Sequence, residues 1–139
     1  MKRVSRLFLS VLSLVLIACS SGSPPPTSEF AGTWQASSRT FTSVSDPNQT
    51  IDVVTLNAVY ELTLNSNGSY AAVSTPSGEA AENSSGTWEA SLDMFSLNET
   101  APYSGNAQFD YTLTNGILTL SGADAEYDFD DDGTNEAAK

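Results

Sequence analysis

From residue 54 to residue 64 every second side chain is apolar: Val54, Leu56, Ala58, Tyr60, Leu62 and Leu64. Thr55, Asn57, Val59, Glu61 and Thr63 stand between them. Successive side chains of a strand point to opposite faces, so a period of two is the signature of a strand with one buried face. The segment runs into Asn67-Gly68. Asn-Gly is the strongest short hairpin signal, because both central residues of a type I′ turn need positive φ. With Asn67-Gly68 at the tip, Ser66 pairs with Ser69, Leu64 faces Ala71 and Leu62 faces Val73. A second hairpin follows the same logic. Phe109, Tyr111 and Leu113 alternate before Asn115-Gly116. Pairing Thr114 with Ile117 sets Leu113 against Leu118 and Tyr111 against Leu120. A slip of one residue would turn either apolar set toward solvent, so the pattern specifies a register for each hairpin.

No stretch after residue 19 sustains the 3.6-residue apolar period of a helix. Shorter strands are expected near residues 32–37, 86–90, 94–97 and 125–129. Residues 39–50 and 76–85 read as polar, mobile loops. About eight strands joined in sequence suit an all-β antiparallel meander, closed up-and-down as a small barrel. A two-sheet β-sandwich is the other closure that the pattern allows. The chain has 139 residues, which sets one domain as the expectation.

Gly32-Thr33-Trp34-Gln35-Ala36-Ser37 recurs as Gly86-Thr87-Trp88-Glu89-Ala90-Ser91. Two copies are too few for a repeat array. A local cause is more economical. Glycine in a strand allows a bulge or a close backbone approach, and the tryptophan that follows plugs the interior with its N–H on a carbonyl. Phe30, Gly32 and Trp34 resemble the first strand of the lipocalin and calycin group, whose Gly-x-Trp closes one end of the barrel. The resemblance spans roughly residues 29–129 and implies a lipocalin-like β-barrel; a Gly-Thr-Trp near the start also occurs in avidin-like barrels, so no ligand-binding residue follows from it. By their place in the strands, Trp34 and Trp88 are read as closing the barrel or else as lining a pocket for a small apolar molecule. The chain is shorter than full lipocalins, shows no C-terminal helix and lacks their cysteine pairs.

The N-terminus carries a different message. Lys2, Arg3 and Arg6 precede an apolar run from residue 7 to residue 18, which ends in Leu16-Ile17-Ala18-Cys19. A spanning helix needs about 20 apolar residues, so this run has the length of a signal segment rather than of an anchor. Leu-Ile-Ala-Cys resembles the lipobox of bacterial lipoproteins. That resemblance implies that residues 1–18 are removed as a signal peptide, that Cys19 becomes the lipidated first residue, and that a diacylglyceryl group and an N-acyl chain (palmitate-type) hold the protein on the bacterial cell envelope. Single acyl chains bind membranes marginally, and more than one gives stable anchoring. Ser20 in place of Asp favours the outer membrane. Residues 19–28 then form the lipidated end and a tether rich in serine and proline, flexible at Gly22 and stiffened by Pro24-Pro25-Pro26. Residues 29–139 remain as the barrel domain, expected as a monomer.

All 17 acidic residues lie after the leader, where only Arg39 and Lys139 oppose them, a balance of −15. Such a surface repels nucleic acid, and no basic patch reverses it. The chain has no histidine, and its one cysteine is assigned to the lipid. The commonest general base, the thiol nucleophile and the usual transition-metal ligands are thereby missing. A glycosidase needs only two carboxylates, yet the pattern places no acidic pair on an inward face. A non-enzymatic protein is the expectation.

One acidic cluster has a more specific spacing. Asp128, Asp130 and Asp132 stand at positions 1, 3 and 5 of a loop, with Gly133 at position 6. That is the opening of an oxygen-ligand calcium loop, in which glycine permits the sharp turn. The Thr134 carbonyl and Glu136 supply positions 7 and 9. Lys139 occupies position 12, where an EF-hand needs a bidentate glutamate, so the loop is not an EF-hand. It resembles the short Asp-x-Asp-x-Asp-Gly-x-x-Asp/Glu loops of secreted bacterial proteins, which sit in hairpins and need no flanking helices. The expected ligands are therefore Ca2+ at Asp128, Asp130, Asp132, Thr134 and Glu136, and a covalent lipid at Cys19. Two readings of function follow: a membrane-anchored lipocalin-like lipoprotein that binds a small apolar molecule, or a structural or interaction barrel with a filled core, stabilised by calcium.

Overall fold

The computed structural model describes residues 27–139. The segments assigned above to the signal peptide, to Cys19 and to most of the tether lie outside the described residues. The rest is all-β, as the alternation requires, with helical structure confined to the 3₁₀ turns Thr27–Glu29 and Val53–Leu56. Eleven strands follow one another: β1 (Gly32–Gln35), β2 (Thr40–Thr42), β3 (Thr50–Asp52), β4 (Val59–Leu64), β5 (Ser69–Thr75), β6 (Glu82–Ala90), β7 (Phe95–Ala101), β8 (Gly105–Thr114), β9 (Ile117–Ser121), β10 (Ala125–Tyr127) and β11 (Glu136–Ala138). Seven of them form one antiparallel sheet in the order β1-β4-β5-β6-β7-β8-β9. From β4 onward this is an up-and-down meander, and the sheet curls into a half-barrel. Its ladder ends at β1 on one side and β9 on the other.

The β8–β9 hairpin adopts the predicted register. Thr114 pairs with Ile117, Leu113 with Leu118 and Tyr111 with Leu120. Asn115 and Gly116 both take positive φ, 53° and 75°, as a type I′ turn demands. The β4–β5 hairpin does not adopt the predicted register. Leu64 pairs with Tyr70 and Leu62 with Ala72, one residue away from expectation. Its loop is one residue longer than a two-residue turn: Gly68 N–H donates to the Asn65 carbonyl and Asn65 N–H to the Ser69 carbonyl. Among residues 65–69 only Gly68 has positive φ, 83°. The Asn67 carboxamide oxygen accepts from Ser69 N–H and Ser69 Oγ–H, which holds the longer turn. The slip changes the inward set of β5 from Ala71 and Val73 to Tyr70 and Ala72, and Tyr70 becomes 5% exposed.

The long strand expected from residue 54 is also shorter. Asp52 caps a 3₁₀ turn over Val53–Leu56 by accepting from Val54 N–H at 3.1 Å, and Asn57 ends it in the left-handed region at φ 70°. A side-chain acceptor offers the backbone an alternative to the ladder, and here it interrupts the strand. The polar loops are more ordered than expected. Residues 39–50 contain β2 and lead into β3, which pair with each other, and residues 82–85 open β6. Phe41 is the reason in the first case: it alternates between Thr40 and Thr42 and buries its ring.

Two apolar clusters form the core of the described residues. The first gathers Phe30, Leu64, Tyr70, Trp88 and Phe95 under the half-barrel. The second gathers Phe41, Val53, Ala58 and Ala138, flanked by Ile51, Tyr60, Ala125, Tyr127 and Phe129. The β10–β11 hairpin reaches this second cluster because β11 continues past it onto β2. Thr42 N–H donates to the Lys139 carbonyl, Lys139 N–H to the Thr42 carbonyl, and Val44 N–H to the Ala137 carbonyl. Arg39 covers one side, its guanidinium 4.2 Å from the Tyr60 ring centre and 5.1 Å from that of Phe41.

Candidate functional site

The concave face of the half-barrel is built by alternation. Along β8 the inward positions are Ala107, Phe109, Tyr111 and Leu113, and along β9 they are Leu118 and Leu120. Trp34 and Leu62 join them from β1 and β4, and Leu97 from β7. All of these side chains except Ala107 pack against the first cluster, yet all stay half-buried. A closed core would bury such large apolar groups almost fully. The inner side of the half-barrel is therefore an apolar face, here called the trough, that solvent still reaches in part.

One end of that trough is plugged. The Phe30 ring lies 5.7 Å from Trp88, 5.8 Å from Phe95 and 5.5 Å from Tyr111 between centres. Trp88 and Phe95 stack nearly parallel, 14° apart, at 5.7 Å. Offset and edge-on contacts of this kind add to the burial of the rings. Each indole N–H finds a carbonyl. Trp88 Nε1–H donates to Asn65 at 2.9 Å and Trp34 Nε1–H to Phe30 at 2.8 Å. The two tryptophans nevertheless differ in position. Trp88 is 5% exposed at the centre of the plug, whereas Trp34 stays half-buried on the trough wall. Their glycines differ too. Gly86 lies against the backbone of Asn98 and Glu99 at a break in the β6–β7 register, while Gly32 has nothing within 4 Å and is needed for its φ of 148°.

The acidic loop forms the turn of the β10–β11 hairpin. Asp128, Asp130, Asp132 and Glu136 each offer a carboxylate oxygen, and these oxygens lie within 4.8 Å of one another. The backbone folds the loop around them. Asp128 accepts from Asp132 N–H at 3.2 Å and Gly133 N–H at 2.8 Å, Asp132 from Thr134 N–H at 2.7 Å, and Glu136 from Phe129 N–H at 2.9 Å. Gly133 makes the turn with φ 85°. Oxygens in a calcium shell of 2.3–2.6 Å radius are separated by at most about 5 Å, so the four carboxylates have the spread of such a shell. The hairpin closes through the short strand β11, and Glu136 is its first residue.

Sequence reasoning missed Phe95 and Leu97 as members of the plug and trough, since Glu99 stands at the next position on their face of β7 and cuts the apolar alternation to two residues. It also missed Arg39 as the cation stacked on Phe41 and Tyr60, whose rings are 19 residues apart in the chain. Two open surface clefts stand apart from the plug, and one of them borders the inner face at Ala107. One, of about 360 Å³, is lined by Asn106, Gln108, Gly122 and Asp124. The other, of about 450 Å³, runs beside Val44, Glu126 and Ala137. Lys139 pairs with Asp124 at 2.5 Å, which holds the Asp124 carboxyl below its ordinary pKa.

Comparison with known proteins agrees with this architecture. A family model described as a lipocalin-like domain matches residues 30–120, well over half of the chain. The match covers the plug and the trough and stops before the acidic hairpin. No curated protein and no solved structure gives a significant match.

Proposed function

The chain belongs to the lipocalin-like domain family, and from that premise we propose that it is a lipid-anchored, non-enzymatic protein of the bacterial envelope that binds a small apolar molecule. The observation that carries the reading is the trough. Trp34, Leu62, Leu97, Phe109, Leu113 and Leu120 stay half-buried on the concave face of the sheet. Burial of apolar area by a guest is worth roughly 25 cal/mol per Å² before the costs of association. Trp34 is the natural reporter of occupancy, because its indole is fixed by Phe30 yet still reached by solvent. Titration with a fluorescent long-chain fatty acid should quench tryptophan emission at micromolar concentrations. Phe109→Asp should abolish the quenching while the circular dichroism of the fold persists. Equal quenching in the variant would remove the trough as the site.

The anchor in this reading rests on the basic, apolar, Leu-Ile-Ala-Cys order before the domain, and Cys19 would carry the lipid. Ser20 supports placement at the outer membrane.

A second reading has its own observation. The aromatic plug is packed, and the four loop carboxylates converge within 4.8 Å. On this basis the domain is an interaction module with a filled interior, whose C-terminal hairpin is held by Ca2+ bound to Asp128, Asp130, Asp132, Glu136 and the Thr134 carbonyl. Ca2+ accepts irregular shells of 6–8 oxygens, which suits this set better than the octahedron that Mg2+ demands. The two readings are separable, since ligand quenching tests the trough and metal-dependent melting tests the loop.

A further inference from the structure

The sheet has two ends, and the chain enters at one of them. Strand β4 runs toward the turn at residues 65–68, β6 toward the turn at 91–94 and β8 toward the turn at 115–116. Strand β1 is antiparallel to β4 with Gly32 opposite Leu64, so it begins at this same end. The 3₁₀ turn Thr27–Glu29 lies immediately before it, held by Phe30 N–H and Ala31 N–H on the Thr27 carbonyl. The opposite end carries the second cluster, reached through Ala58 and Tyr60, and with it the β10–β11 hairpin and its acidic loop.

Charge follows the same axis. Of the 17 acidic residues only Glu29, Glu89 and Asp93 stand at or beside the turns of the first end, whereas residues 124–139 alone hold seven. The first end also exposes large apolar side chains at its turns. Leu92 is 52% and Met94 40% exposed in the 91–94 turn, and Ile117 is 65% exposed just after Asn115-Gly116. Val44, Leu56, Val59 and Tyr103 are exposed as well, but they belong to the end that the acidic loop occupies.

We infer that the end bearing Leu92, Met94 and Ile117 is a docking surface for a lipid bilayer, with these three side chains seated at the boundary of headgroups and acyl chains. The inference rests on the proposed lipid at Cys19. Residues 19–26 span at most about 28 Å when fully extended. Thr27 marks the end of the fold that this length keeps near the membrane. Strand β8 alone is about 33 Å long at ~3.3 Å per residue, so the acidic end sits farther out. Anionic headgroups repel the acidic loop and favour the same orientation. Exposed leucine, methionine and isoleucine are the side chains that an interface takes up.

The full chain is reconstituted in phosphatidylcholine nanodiscs that carry a nitroxide-labelled lipid, and backbone amide signals are recorded. Docking predicts loss of the signals at residues 92–94 and 116–118, with those of residues 130–134 retained. Leu92→Ser together with Ile117→Ser should even out the loss, and Val59→Ser together with Tyr103→Ser should not. Uniform loss in the parent chain, or loss centred on residues 130–134, overturns the proposal. So does broadening of the same turns without nanodiscs at rising protein concentration, which would assign the surface to a second copy. Membrane attachment of the Cys19→Ser chain judges the anchor separately. If that variant attaches as the parent does, or the parent does not attach, the Cys19 thiol is coupled to a maleimide-bearing lipid. The same pattern of signal loss then decides the docking surface on its own.

Discussion

Of the described glycines, Gly86 has the least room for a side chain. A methyl group built on it would stand 2.9 Å from the Asn98 carbonyl carbon and 3.0 Å from Glu99 Cα, and closer still to the Asn98 oxygen. These are backbone atoms in the neighbouring strand, so no rotamer change relieves the contact. The register there is already irregular: Ser85 pairs with Ala101 and Gly86 with Glu99, leaving Thr100 as the extra residue of a bulge. Overpacking in well-packed sites costs about 1–3 kcal/mol. Reduced freedom of the unfolded chain returns about 0.4–1 kcal/mol for Gly→Ala. Gly86→Ala should therefore destabilise by about 1–2 kcal/mol, which lowers Tm by roughly 4–16 °C for a domain of this size. Gly105→Ala is the matched control, since nothing lies within 4 Å of its added methyl group, and it should melt at or slightly above the parent temperature. Both are read by thermal melts followed with near-ultraviolet circular dichroism. A Gly86→Ala protein melting within about 2 °C of the parent, or a Gly105→Ala protein equally destabilised, would refute the close-approach argument.

Trp88→Ala should cost about 3–5 kcal/mol and Trp34→Ala clearly less, because only Trp88 is central to the plug; urea titration of both checks the order. Millimolar Ca2+ should raise Tm, by an amount equivalent to about 2.7 kcal/mol at 100 times the dissociation constant, with Mg2+ less effective. Asp130→Asn with Asp132→Asn should erase the difference, and identical melts in Ca2+ and chelator at fixed ionic strength would dismiss the metal. Asp52 gives a pH prediction. The Arg39 N–H, then the Ser38 hydroxyl and, after a smaller opposing effect of burial, the Val54 N–H hold its carboxyl below the usual carboxylate range. A depressed pKa contributes stability above the unfolded value of about 3.9 that is lost as pH falls through the folded value. The Tm advantage of the parent over Asp52→Asn should therefore shrink on acidification below that value, and a constant gap down to pH ~2 would disprove the linkage.

The sequence alone determined what depends on local chemistry. Period-two alternation made the chain all-β, and Asn115-Gly116 fixed a register, because both residues can take the positive φ that a type I′ turn imposes. The spacing of Asp128, Asp130, Asp132 and Gly133 drew carboxylates into one turn, since a loop of that length closes on itself. The same reasoning failed at Asn67-Gly68, where an identical dipeptide turns the chain with one more residue. Local preference permits both turns there, and burial of Tyr70 beside Trp88 and Phe95 goes with the longer one. Alternation likewise ran through Val54 and Leu56 although Asp52 had a capping bond to offer, and the period carries no sign of that competition. Tertiary structure decided the rest. It put Trp88 in the plug and left its sequence twin Trp34 on the trough wall, because the two lie on strands with different neighbours. It stacked Arg39 on rings that are distant in the chain. It also carried β11 back onto β2, which places the acidic loop at the end of the fold opposite Thr27. Those outcomes depend on which surfaces meet when the half-barrel curls, and no window of the sequence contains that information.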